Sequence, residues 1–312
     1  PTYKILPDSL YVNGPAQVGF DVESFVSSQP GRLSQHQEYA SGDTRTGANV
    51  VQLVATNCRT SPRLLLAPRE DQSGALSQPA PPGGSTDYVL GNSDPFYRGL
   101  YLQLVWASNL LNDAYYRWRI GQLETFEHLD GRVERPDPWQ NAGTVALQVY
   151  FSNLYSGDAY LQAVRESGLA QTYARLFGDP WGSAAPHIPG SLDQPALRLP
   201  FEDGKAWAFT GGPHTGWGEG APLAALDFAP GMETGGCASS NEWATAMAPG
   251  IVTRSEPATV TLDLYLDGDE RTGWVIFYFH VATEGRVQAA AVLQTGDPIG
   301  HPSCEGGRAT GT

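Results

Sequence analysis

The stretch Thr259–Ala282, TVTLDLYLDGDERTGWVIFYFHVA, decides how the C-terminal half folds. Its two ends read as short β runs, and the Asp267-Gly268 step between them is a hairpin turn signal. The second run, WVIFYFHVA, is the longest apolar stretch of the chain and has the length of a strand. It is far short of the ~18 apolar residues that a membrane-crossing helix needs. Similar runs lie around it: WAFTGG from Trp207, AALDFAP from Ala224, WATAMAPGIVTRS from Trp243 and DPIGHPS from Asp297. Gly, Pro and Asp-Gly punctuate them, which predicts an antiparallel β domain over 199–312. A competing reading makes Asp263, Asp267, Asp269 and Glu270 a calcium loop. The regular spacing of an EF-hand is missing, and Asp-Gly favours the turn.

Upstream of Leu199 the periodicity changes. Residues 1–42 alternate weakly and read as an extended arm. Val50, Val51, Leu53 and Val54 share a helical face. SPRLLLA then starts a second helix, with Ser61 as N-cap and Pro62 in the first turn; Pro68 should kink or end it. Residues 94–121 form the clearest helix, with Leu100, Leu104, Ala107 and Leu111 at helical spacing. Two more helical stretches follow, over NAGTVALQVYFSNLY and GDAYLQAVRESGLAQTYARLFG. A Pro/Gly-rich segment at 184–198 reads as a linker. The expected architecture is α+β and multidomain: arm 1–42, mainly α domain 43–183, linker 184–198, antiparallel β domain 199–312.

Composition narrows the function classes. The chain has 312 residues, is 41% hydrophobic, and carries a formal charge of −14. It can bury a core, and it is a poor phosphate binder, so nucleic acid is not an expected partner. Amines or neutral sugars suit it better. Three cysteines, Cys58, Cys237 and Cys304, make neither a disulfide scaffold nor a zinc ribbon. Cys237 and Cys304 both lie in Gly/Ser-rich loops of the C-terminal half. They are either a pair, which would fit an oxidising compartment, or two reduced thiols. Cys58, within an apolar helical run, reads as a buried small hydrophobe.

His214 and Asp227, thirteen positions apart, bear the chemistry of zinc ligands. Two ligands on neighbouring strands converge if their side chains point the same way. Singly, each has a plainer reading: a solvated loop histidine, and an aspartate that caps or turns. His280 interrupts an apolar run, so it is either a satisfied half-buried core histidine or it points into a site.

The ordered set resembles the lysostaphin-type (LytM-like) zinc metallopeptidases, which cleave peptide cross-links of bacterial cell walls. It consists of His214, Asp227, Ala248–Val252, Tyr278 with His280, then Gly296 and Gly300, and it spans about 199–312. The resemblance implies zinc held by His214 and Asp227, a catalytic rather than metal-binding His280, a peptidoglycan substrate and a secreted protein. The interval between His214 and Asp227 is longer than is common in that family, so TGWGEGAPLAAL would be an inserted loop. The family's closing His-x-His, which brings the third ligand, does not occur before Thr312. On this reading the site is incomplete in the chain, which should be inactive or nearly so.

In the helical half, SPRLLLAPREDQSG resembles the catalytic helix of lysozyme-like lytic transglycosylases, with Gln72 where that family has its glutamate. An amide has no proton to give, and Glu70 and Asp71 are off register. The resemblance implies a glycan-binding or spacing domain without glycosidase activity. Tyr97, Tyr115, Tyr116 and Trp118 either stack on sugars or pack a core. Two functions of different class follow: a secreted zinc endopeptidase, or a catalytically inactive peptidoglycan-binding or scaffold protein.

Overall fold

The computed structural model describes residues 2–80, 87–182, 192–216, 222–231 and 240–307. The chain divides into two compact units. One comprises Pro1–Ile188 with Thr215–Pro222, the other Pro189–His214 with Leu223–Thr312. Helices fill the first and antiparallel sheets the second, as the change of periodicity predicts. Among the described residues no helix is long and apolar enough to cross a membrane.

The helical unit contains α1 (Val22–Ser27), α2 (Gly47–Cys58), α3 (Pro62–Ser73), α4 (Leu100–Arg119), α5 (Ala142–Ser152), α6 (Gly157–Val164) and α7 (Gln171–Phe177). Two small hairpins join them: β1 (Gln37–Ala40) with β2 (Asp43–Thr46), and β3 (Phe126–Glu127) with β4 (Val133–Glu134). The core forms where α4 packs on α5 and α2. Leu104, Leu111, Tyr115, Val145, Tyr150 and Phe151 are buried there. Tyr115 is thus core rather than a sugar platform. Trp118 packs on the same core and donates its indole N–H to the Gln140 carbonyl at 3.1 Å.

Three expectations change. Residues 2–42 are not a loose arm. Ile5, Leu6, Leu10 and Tyr11 are buried, and the Tyr11 ring stacks on Tyr115 at 4.3 Å. The Asp8 carboxylate reaches the start of α5, accepting from Gly143 N and Asn141 Nδ2 at 2.8 Å each. The weak alternation of this segment reflects single anchor residues separated by turns, a pattern that mimics an unstructured arm in sequence.

Next, α3 runs through Pro68 to Ser73. A proline inside a helix costs about 3 kcal/mol. Leu64, Leu65 and Leu66 are all buried, and each contributes about 1.5–3 kcal/mol. Burial therefore outweighs the lost backbone bond. Lastly, α4 starts at Leu100 rather than at 94: Gly99 has φ 96° and breaks the helix, and Pro95–Tyr97 make a separate 3₁₀ turn. The Glu38 carboxylate of β1 accepts from Tyr101 N at 3.1 Å and caps α4 from outside.

The second unit holds β5 (Trp207–His214), β6 (Ala225–Pro230), β7 (Ala244–Thr245), β8 (Gly250–Glu256), β9 (Ala258–Asp263), β10 (Val275–Val281), β11 (Val292–Leu293) and β12 (Pro298–Gly300). A four-stranded antiparallel sheet has the order β10-β9-β8-β11. Strands β12 and β7 pair, and β5 and β6 form a hairpin. Val252, Val260, Leu262, Tyr278, Val281 and Ile299 make the core. Phe201 ties the hairpin to it: it bridges to Ala244, stacks on Trp207 at 4.9 Å and meets Phe228 edge-on at 5.9 Å.

The loop between β9 and β10 is a structured turn. Asp263 is fully buried and accepts from Tyr265 N and Gly268 N, each at 2.9 Å. Asp269 pairs with Arg271 at 2.7 Å, and Glu270 with Arg254 at 2.7 Å. The carboxylates proposed for calcium are thus committed to backbone amides and guanidinium groups.

Candidate functional site

The β5–β6 hairpin aligns Gly211 with Asp227 and His214 with Ala225. Two register shifts, between Phe209 and Gly211 and between Gly211 and His214, bring the imidazole back over the aspartate. His214 Nε2 donates to Asp227 Oδ2 at 2.9 Å. The two side chains are 45% and 54% exposed, so a cation from solvent can reach both. Gly211 makes room for this arrangement. A Cβ there would lie 2.7 Å from Asp227 Oδ2. Part of the expected inserted loop after His214 lies outside the described residues.

His280 is placed by a feature that alternation alone does not reveal. In the β10–β9 pairing, Phe279 aligns with Thr259 and Val281 with Ala258. His280 is the extra residue of this bulge, with φ 63° in the left-handed region that non-glycine residues seldom adopt. A bulge re-aims its side chain away from the alternating pattern. The histidine is half-buried and is not part of the core cluster.

The segment after β12 completes this corner. Ala282 N donates to His301 O and Ser303 N to His280 O, both at 2.8 Å. His280 Nδ1 donates to the Glu305 carbonyl at 2.9 Å. A carbonyl can only accept, so Nδ1 carries a hydrogen, and in the neutral ring the lone pair is on Nε2. Thr283 donates to the Glu305 carboxylate through Oγ1 at 2.6 Å and through its amide at 2.8 Å, which holds that carboxyl below the usual range. Tyr278 OH accepts from Met247 N at 3.0 Å and fastens the AMAPG segment to β10.

A second histidine, which the sequence reading gives no role, has the same anchoring. His301 Nδ1 donates to Glu242 O at 2.9 Å, and its ring lies 3.8 Å from that of Trp243. Its local signal, a histidine flanked by Gly and Pro, is indistinguishable from a turn.

The structure therefore joins His214 to Asp227. Among the described residues no group of three His, Cys, Asp or Glu side chains is arranged to hold a metal. Cys304 is in a disulfide and Cys58 is free. Cys237, the expected partner of Cys304, lies outside the described residues. Burial pushes the Cys58 thiol up to about 11, against a smaller opposing effect from Ser108.

In the helical unit the carboxylates near Gln72 serve the fold. Glu70 is 4% exposed and accepts from Leu76 N at 2.8 Å, Ser77 N at 3.2 Å and Arg175 at 3.2 Å. Burial raises its pKa, but the hydrogen bonds from Ser77, Leu76 and Arg175 together hold it below the usual carboxylate value. Asp71 accepts from Thr172 Oγ1 at 2.6 Å, and Gln72 Nε2 donates to Tyr150 OH at 3.3 Å.

No curated protein matches the chain. One solved structure, described as a novel M23 metalloprotease, pseudoalterin, from the deep sea, is 25% identical. The match covers 38% of this chain and 67% of that one, at a TM-score of 0.31. The model of the family described as "LasA, N-terminal domain" matches residues 4–189. That match takes in the whole set of helices with its buried α4–α5 core and more than half of the sequence, and the chain belongs to the LasA N-terminal domain family.

Proposed function

We propose that the β unit carries a lysostaphin-type zinc endopeptidase site directed at the peptide cross-links of bacterial peptidoglycan, in a protein that works outside the cell. The observation that carries this reading is the convergence of His214 Nε2 and Asp227 Oδ2 at 2.9 Å on paired strands. An imidazole and a carboxylate, both half-exposed, fit two positions of a zinc donor set. When bound, zinc acts as a Lewis acid that polarises a carbonyl and lowers the pKa of water. His214 Nε2 and Asp227 Oδ2 would hold it, the imidazole carrying its hydrogen on Nδ1 so that the Nε2 lone pair faces the metal. His280, with Nδ1–H fixed on Glu305 O, presents Nε2 to accept or return a proton during amide hydrolysis. A disulfide at Cys304 is in keeping with an oxidising, extracytoplasmic setting.

Two protein ligands make a weak zinc site. A polypeptide of residues 1–312 is expected to lose zinc on dialysis and to cleave peptide cross-links slowly or not at all. Zinc titration of this polypeptide is the test: His214→Ala and Asp227→Ala should each abolish the binding that remains. Unchanged zinc binding in both variants would refute the ligand assignment. The second reading is a peptidoglycan-binding protein without catalysis. Wall binding in the two variants, undiminished and without any cleavage by the parent, would select it.

A further inference from the structure

The helical unit has a cavity of about 870 Å³ that the metal site does not use. The volume is that of a small-molecule site (~300–1,000 Å³). Its position follows from the junction of α6 and α7. There the chain kinks at Gly168 (φ −96°, ψ −133°), within Glu166–Ala170, before α7 begins. Ala170 and Ala174, four positions apart, line it together with Pro180. Arg165, Glu166, Gln171, Asp179, Trp181 and Tyr3 line it as well. Asp179 Oδ1 accepts from Trp181 N at 3.0 Å and holds the start of the tryptophan in a tight turn. The Trp181 side chain stays 44% exposed. Glu166 and Asp179 both lie close enough to the Tyr3 hydroxyl to raise its pKa, after burial as the main cause.

We infer that this cavity binds an uncharged oligosaccharide, with Trp181 and Tyr3 as stacking faces and Glu166, Gln171, Asp179 and Arg165 as hydrogen-bonding partners. Charge and shape exclude the alternatives. Two carboxylates repel an anion, and Arg165 in the same lining opposes a simple cation. A neutral ring with many hydroxyls uses both donors and acceptors, and its C–H face packs on an aromatic ring. The inference rests on this cavity alone, and failure of the zinc reading leaves it standing.

The test is titration of the full 312-residue chain with cellotetraose and chitotetraose, followed by tryptophan fluorescence and calorimetry. Binding of either sugar is expected. Trp181→Ala and Glu166→Gln should each weaken it about tenfold, the worth of one lost stacking or charged hydrogen-bonding contact (~1.4 kcal/mol). Trp139→Ala, a substitution at a tryptophan 85% exposed outside the cavity, should not change it. Glu166→Gln is isosteric at an exposed position, so it tests the site even if Trp181→Ala disturbs the fold. The inference is overturned by absence of binding up to the solubility limit of both sugars. It is equally overturned by affinity that survives both cavity substitutions, or by a cavity that takes only spermidine or inorganic phosphate.

Discussion

The missing side chain of Gly211 governs what Asp227 can do. With a Cβ 2.7 Å from Oδ2, the carboxylate would have to swing off His214. Gly211→Ala is therefore expected to lower zinc affinity by about tenfold or more, as loss of ligand orientation does elsewhere, without unfolding the unit. Zinc titration with a melting curve separates the two effects. Glu70 illustrates the opposite case, a carboxylate that invites a catalytic reading and serves stability. Its folded pKa lies below the ordinary value, so its contribution is present at neutral pH, above the unfolded pKa of about 4.3. That contribution is lost as pH falls through the lower folded value. Glu70→Gln should cost about 1–3 kcal/mol at neutral pH and flatten the acid limb of the stability profile. Urea melts across pH 3–7 (about the span set by those carboxylate values) would show it; an unchanged acid limb would remove Glu70 from this role.

At the scale of elements, helix ends are set by distant partners. Helix α3 carries its own cap, since Ser61 Oγ accepts from Leu64 N at 3.3 Å, and that cap is legible in the SPRL motif. The carboxylates at the starts of α4 and α5 are Glu38 and Asp8, 63 and 135 positions from the amides they accept from, and no local pattern announces them. Asp8→Ala should destabilise the helical unit by about 0.5–2 kcal/mol, with a further loss as Asn141 Nδ2 gives up the same acceptor. Thermal unfolding of the variant measures this; a shift indistinguishable from zero would show that Asp8 is not a working cap. In the sheet, alternation located β9 and β10, but the bulge that carries His280 came from the pairing with β9. A bulge is a mismatch between two strands, so neither strand encodes it alone.

For the whole molecule, redox state is the property to measure. Cys58 is free and its thiol pKa is raised by burial to about 11, so it should react slowly with alkylating agents in the folded chain near neutral pH. Of the three cysteines, one should label rapidly on unfolding without reductant, and all three after reduction. Intact mass reads the count. Three labels without reductant would refute the disulfide at Cys304 and its proposed pairing with Cys237. The charge of −14 predicts no retention on DNA at physiological salt, which a gel-shift titration checks.

The sequence by itself determined the α-then-β order, the hairpin around Asp267-Gly268 though not the length of its loop, the helical face of α4, and the pairing of a histidine with an aspartate as the feature to examine. All of these rest on short-range regularities: the 3.6 and 2.0 periods, turn residues and ligand chemistry. The tertiary structure alone decided that residues 2–42 belong to the core, that α3 survives Pro68, that Glu70 is buried in an ion pair, and that His280 sits on a bulge anchored by Glu305. Each of these depends on contacts between residues far apart in the chain. There burial and hydrogen bonding add up to more than the local preference they override.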